Sequence, residues 1–318
     1  MNLHRVSATV FNERVERKFQ VGIKPSEVAE LWRDLRKFMR PYGLNPVQEI
    51  TSVGSVYFDN KDCDLLRYSL LGHLMLFRTR AYELYGQTPV PINQFWVEVK
   101  TAQGERRKKK RFPLSKEALF EFLGGMEAGL LVRRQNKLHV AVNLDLYRES
   151  QETLLTMGLE PILLVTYKRV AFQGPTERMS LDWDLRYFHV SERIYDEVSW
   201  KDLVDVPAGT SENVIMETKH LAGESPKWLG ALQEKYPIRR REYLKPVEGM
   251  GFLFRGPLKQ HKEAALLRPM IASYLANSRP MWTETALRDP AALEVYSFLE
   301  LKATGEQQER LLQRMIQT

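Results

Sequence analysis

Between Val10 and Val21 apolar and polar residues alternate, the period of a strand with one packed face and one wet face. Lys24-Pro25-Ser26 marks a helix start ahead of Glu27 to Met39, since proline fits where a helix begins and needs no backbone donor. Pro41, Gly43, Asn45 and Pro46 break the pattern, and Gly54 to Asp59 reads as the next strand. Lys61 to Leu70 is a short helix or turn, and Leu74 to Tyr82 a strand before a connection rich in breakers (Gly86, Pro89, Pro91). Phe95 to Lys100 and Lys108 to Phe112 form a hairpin pattern around Gly104, and Ser115 opens an amphipathic helix through Leu123. Residues 130 to 160 are ambiguous and helical in part. Pro161 opens a strand over Ile162 to Phe172, Gly174-Pro175 turns it, and Arg178 to Asp184 returns. Asn213 to His220 is a further strand and Trp228 to Lys235 a short helix. From about Leu258 the pattern is helical, cut by Pro269, Pro280 and Pro290. Neither a fixed-period repeat nor a low-complexity linker interrupts the chain.

Charge placement changes the picture. Residues two apart in a strand share a face, and charged residues recur at that spacing: Arg14, Glu16 and Lys18; Arg78 and Arg80; Glu98 and Lys100; Lys109 and Arg111. The spacing returns at Tyr167 with Arg169, at Arg178 with Ser180 and Asp182, and at Glu217 with Lys219. The intervening positions are often apolar, as at Val15 and Phe19, Phe95, Val97 and Val99, Met179 and Leu181, Val214 and Met216. An antiparallel sheet with one face in water gives the same alternation in any single strand. Repetition over seven strands, with Arg and Lys dominant, points instead to polar faces that converge. A lumen so lined is expensive to desolvate when empty, and a bound polyanion with water and metal ions offsets that cost. Periodicity leaves both the closed barrel and the open sheet backed by helices available.

The chain has 318 residues, 43% hydrophobic and 27% charged, the composition of an ordinary globular protein. A formal charge of +7 is modest for a nucleic-acid binder, so its placement matters more than its sum. The single cysteine, Cys63, excludes an internal disulfide and a thiolate metal cage, and suits a reducing compartment. The N-terminal sequence meets charge before an apolar stretch develops, and no run approaches a bilayer's span, so the expectation is a cytoplasmic protein without a membrane span. No phosphate-binding glycine loop ending in Gly-Lys-Ser/Thr, dinucleotide fingerprint or HExxH sequence is present. The basic run Arg106 to Arg111 alone suits a solvated hairpin tip or a weak nucleic-acid patch, and its alternation turns Lys109 and Arg111 inward. His73, His139, His189 and His220 do not cluster as ligands would.

In order along the chain, Glu16 to Lys18, Tyr57-Phe58-Asp59, Arg78 with Arg80, Glu98 with Lys100, Lys109 to Arg111, Tyr167 with Arg169, Ser180-Leu181-Asp182 and Glu217 with Lys219 resemble the catalytic domain of the vacuolar transporter chaperone (VTC) polyphosphate polymerases, within the triphosphate tunnel metalloenzymes. The resemblance runs over roughly residues 10 to 250. It implies an α+β fold, an eight-stranded antiparallel tunnel-type β-barrel with external helices, over residues 1–255. Residues 256–318 are expected to form a helical extension packed on or beside it. It also implies transfer of the terminal phosphoryl group of ATP to polyphosphate with Mn²⁺ or Mg²⁺. Arg78, Arg80, Lys100, Arg169 and Lys219 match catalytic positions, and Lys18, Lys109, Arg111, Tyr167, Arg178 and Lys245 extend the substrate-binding set. Glu217 matches the family's metal-binding glutamate; Glu16 and Glu98 are left to orient neighbouring cations or a water.

One stretch departs. Where the family closes its tunnel with an aromatic residue, Ser and Lys, this chain reads Tyr243-Leu244-Lys245 after Arg241-Glu242, so a hydroxyl donor is lost and a carboxylate stands in a basic position. Arg240 or Arg241 is the expected replacement for that charge. The departure keeps a hydrolase of tri- or polyphosphate and a noncatalytic polyphosphate-binding protein open beside the polymerase. A thin phosphate chain suits such a lumen better than a duplex, which needs a broad exposed surface, so specific nucleic acid is not expected. Neither a preceding inositol-phosphate-binding domain nor membrane helices are expected. A separate membrane partner stays open.

Overall fold

The computed structural model describes residues 14–41, 50–84, 94–103, 106–127, 142–174, 177–196, 206–221 and 226–277. The connection at Gly86, Pro89 and Pro91, the hairpin tip at Gly104, His139, Pro175, Pro280 and Pro290 lie outside them. The strands are β1 (Arg14–Val21), β2 (Arg40–Pro41), β3 (Thr51–Asp59), β4 (Leu74–Leu84), β5 (Phe95–Gln103), β6 (Arg106–Leu114), β7 (Glu160–Gln173), β8 (Arg178–His189), β9 (Gly209–Ser211), β10 (Val214–Leu221) and β11 (Ile238–Arg240). They form one antiparallel sheet in the order β11-β1-β10-β8-β7-β3-β4-β5-β6, with β2 beside β7 and β9 beside β8.

The eight-stranded closed barrel expected above is therefore incorrect. Eleven strands pair, and among the described residues the ladder ends at β6 on one side and at β11 on the other, with no pairing between them. Alternation dictates which face a side chain takes but says nothing about whether the outer strands meet. The sheet nevertheless curls. Laid flat, β10 and β5 are five strand spacings apart, roughly 24 Å. Yet the Lys100 ammonium of β5 lies within electrostatic reach of Glu16 on β1 and Glu217 on β10. The result is an unclosed trough.

The outer face is apolar and covered in two places. Phe19, Val21, Met179, Leu181, Val214 and Met216 pack with the helices Val28–Leu35 and Lys227–Lys235. Val56, Phe77, Val97, Val99 and Phe112 pack with Lys116–Leu123 and Leu144–Thr156. The Ser115 hydroxyl accepts from the Ala118 amide at 3.3 Å, the N-cap its position predicts.

One end of the inner face is also apolar. Leu76, Leu163, Val165, Leu185, Tyr187 and Ile215 are buried under the helix Lys245–Leu253, which the sequence pattern does not announce. A Cβ at Gly249 would stand 2.7 Å from Leu163 and 2.8 Å from Tyr187, so a glycine lets this helix approach the sheet closely. The helix Ala264–Asn277 packs beside it and contains Pro269 rather than stopping there. Burial of Leu267, Met270, Ile271 and Tyr274 in the same cluster offsets the backbone hydrogen bond that proline forgoes.

Candidate phosphate-binding site

Directly opposite residues of antiparallel strands point to the same side, so the register assembles the charged face strand by strand. Lys18 faces Glu217 and Glu16 faces Lys219 across β1 and β10. Arg169 faces Asp182, Tyr57 faces Arg78, and Ser55 faces Arg80. Arg78 in turn faces Glu98, Glu98 faces Arg111, and Lys100 faces Lys109. The sequence-predicted residues thus share the concave face, and Arg178 joins the same register opposite Lys219.

Three groups of carboxylates organise these cations. Glu98, fully buried, accepts from Arg78 Nε at 2.8 Å and Nη2 at 2.6 Å, and meets Arg80 at 3.9 Å, Arg111 at 3.8 Å and the Lys109 ammonium. Burial alone would raise its pKa, but Arg78, Arg80 and Lys109 outweigh burial and hold it well below the carboxylate range. Lys109 takes the opposite effect: burial outweighs Glu98 and pushes its ammonium down to about 7. Arg111 stands at the rim, its guanidinium 4.3 Å from the Trp96 ring centre.

Asp182 is the second centre. Arg169 forks onto it, Nε at 2.6 Å and Nη2 at 2.7 Å, while Lys245 donates to Oδ2 at 2.7 Å. Lys245 opens the helix that plugs the trough, which is how a residue distant in sequence reaches this face. Arg169 and Lys245 flank one ring, 5.3 Å and 4.7 Å from the centre of Tyr167. The Tyr167 hydroxyl is buried without a hydrogen-bond partner among the described residues.

The third centre is the pair Glu16 and Glu217. The Lys219 ammonium stands 3.3 Å from Glu16 and 3.2 Å from Glu217. Burial and the Glu217 charge raise Glu16, but Lys219, Lys100 and Lys18 outweigh both and keep it ionised. Burial likewise opposes Glu217, and Lys219, Lys100 and Arg169 hold it well below its ordinary value. Lys100, by contrast, is depressed well below the lysine range by burial and by Arg78. Among the described residues no three His, Cys, Asp or Glu side chains gather as a ready-made metal cage. Two ionised carboxylates do suit a hard divalent cation whose remaining ligands are phosphate oxygens and water.

The departing stretch is resolved as well. Leu244 is the N-cap of the helix Lys245–Leu253 and makes no side-chain cap. Arg241 points to Gln20 and to the Leu275 carbonyl, and Arg240 is exposed. Sequence reasoning missed Asp182 as a hub, and missed the buried group of Tyr187, Tyr243 and Glu248 altogether. For Asp182 the signal was present in its period-two position; for the second group no local spacing reveals it.

Such a face, dense in forked donors around three anionic centres, suits a ligand rich in phosphate oxygens. The VTC domain family profile matches residues 13–250, and the chain belongs to that family. Vacuolar transporter chaperone complex subunit 4 of Schizosaccharomyces pombe (strain 972 / ATCC 24843) is 27% identical over 268 residues, covering 73% of this chain. The match spans 36% of that relative's length. Among solved structures, a Bacillus halodurans protein is 13% identical over 70% of this chain and 89% of its own, with a TM-score of 0.37. A Pyrococcus horikoshii OT3 protein is 12% identical over 70% and 87%, with a TM-score of 0.31. No helix among the described residues is long and apolar enough to cross a membrane.

Proposed function

We propose that this chain transfers the terminal phosphoryl group of ATP to the end of an inorganic polyphosphate chain, with Mn²⁺ or Mg²⁺ as cofactor. The observation that carries the reading is the convergence of Lys18, Arg78, Arg80, Arg169 and Lys219 on one concave face around the carboxylates Glu16, Glu98, Asp182 and Glu217. In the reaction the bond from the γ-phosphorus to its bridging oxygen breaks, ADP leaves with that electron pair, and a terminal polyphosphate oxygen forms the new bond. The acceptor is already an anion, so no protein base has to remove a proton; the barrier is repulsion between two anions. Lys18, Arg78, Arg80, Arg169 and Lys219 would neutralise non-bridging oxygens, guanidinium forks aligning them and ammonium groups supplying mobile charge. Lys100, Lys109, Arg111, Arg178 and Lys245 would extend the basic lining along the chain. Glu217, with Glu16 beside it, would hold the metal, which supplies further neutralisation of phosphate oxygens.

A second reading rests on Glu16. An ionised carboxylate next to Glu217 could orient a water in place of the chain end, giving a tri- or polyphosphate hydrolase. Incubation with ATP and Mn²⁺, with and without a short polyphosphate primer, separates the two. Chain growth with matching ADP release is expected. Shortening of tripolyphosphate with release of inorganic phosphate would replace the polymerase by the hydrolase, and phosphate-chain binding without either reaction would leave a binding protein.

A further inference from the structure

The helix Lys245–Leu253 begins without a side-chain cap at Leu244, yet its first residue must hold an ammonium in place on the sheet. Glu248, one turn in and buried, supplies the fastening. Its Oε2 accepts from the hydroxyls of Tyr187 and Tyr243, and its Oε1 from Ser211 Oγ at 3.1 Å and Asn213 Nδ2 at 3.1 Å. The two phenols also meet each other at 3.0 Å. Burial and the neighbouring Glu248 charge raise both tyrosines well above the usual phenol value, so they stay protonated donors. One carboxylate thereby joins the helix to β8, β9 and the turn into β10.

What this fastening holds is cationic. The Tyr243 carbonyl accepts from Lys18 Nζ at 2.8 Å, and two residues later Lys245 reaches Asp182 at 2.7 Å. Gly249, the next residue after Glu248, permits the close approach on which these distances depend.

We propose that Glu248 is a positioning residue which, through Tyr243, fixes the ammonium groups of Lys18 and Lys245 at the phosphate-binding face. That the two lysines meet phosphate rests on the function proposed above; how they are held does not. A carboxylate is acceptor-only and matches four donors, whereas the amide of Glu248→Gln turns an NH2 toward two of them.

The test begins without ligand, by mapping amine acetylation of the folded protein by mass spectrometry. In Glu248→Gln the labelling of Lys18 and Lys245 should rise about threefold or more, as expected for local opening, with Lys109 and Lys219 unchanged. Equal rises at all four lysines, or none at Lys18 and Lys245, would overturn the proposal. Should Glu248→Gln fail to fold, Tyr243→Phe, which removes one hydroxyl and keeps the ring, carries the same comparison. Calorimetry with tripolyphosphate follows, where the variant should bind about tenfold more weakly, since a small misplacement of a contact is costly. If the wild-type protein binds no tripolyphosphate, the proposed function falls while the labelling result still decides the role of Glu248. Unchanged affinity beside raised labelling would remove the two lysines from the binding site and overturn the functional half of the proposal.

Discussion

Glu98 and Glu217 sit on the same concave face with unlike surroundings. Glu98 is fully buried and gathers Arg78, Arg80, Lys109 and Arg111, whereas Glu217 retains 18% side-chain exposure and shares Lys219 with a second carboxylate. The first is a counter-anion surrounded by cations, which holds Arg78 and Arg80 on the concave face. The second belongs to a pair of like charges with capacity for a further cation. One sheet thus carries a cation-saturated carboxylate on its β5 flank and a pair of like charges sharing one lysine on its β1–β10 flank.

Removing either side chain should separate these roles. Glu98→Ala leaves buried guanidinium groups uncompensated and should lower unfolding free energy by about 4 kcal/mol in a denaturant titration. A stability unchanged within error would erase the distinction. Glu217→Ala should cost less stability than Glu98→Ala while abolishing the rise of activity with Mn²⁺; a normal metal titration in that variant would remove Glu217 from the metal site. Arg169→Ala and Lys219→Ala should each raise the transition-state free energy by about 3 kcal/mol, read as kcat/KM, with near-native circular dichroism.

A smaller effect concerns Lys109, whose pKa is lowered to about 7. Below that pH the free protein already carries the charge. Above it, up to the ordinary lysine value, a bound polyanion must draw a proton back onto the amine. Metal-free affinity for tripolyphosphate should therefore fall about tenfold between pH 7 and 8.5, with proton uptake visible in buffers of different ionisation enthalpy. Lys109→Arg should flatten the profile, and an equally steep profile in that variant would place the titration elsewhere. Least affected should be the outward ion pair of Lys110 with Glu149, where Lys110→Ala should change stability by at most about 0.5 kcal/mol. A larger loss there would mean that the outer face also carries electrostatic weight.

The strands were legible because period two is imposed by the pleat itself: Arg78 with Arg80 and Glu217 with Lys219 stand on one face as their spacing requires. Their mutual distances were not, since they depend on how far the sheet curls and where its ladder stops, which are properties of packing between distant segments. The same reasoning hid the plug. Lys245-Pro246-Val247-Glu248-Gly249 has two glycine or proline breakers in five residues, yet a helix forms because its buried side meets Leu163 and Tyr187. Tyr187, Tyr243 and Glu248 were invisible for a further reason: 61 and 5 residues separate the partners of the two phenol–carboxylate bonds, and no local period links them.

Among the described residues the unclosed sheet ends in two outer strands, and an outer strand is a template onto which another polypeptide strand could add. Here both margins are written in repelling residues, exposed Lys108 and Arg111 along β6 and exposed Arg239 and Arg240 along β11. A second copy approaching edge to edge would meet like charge, which disfavours pairing between the two outer strands.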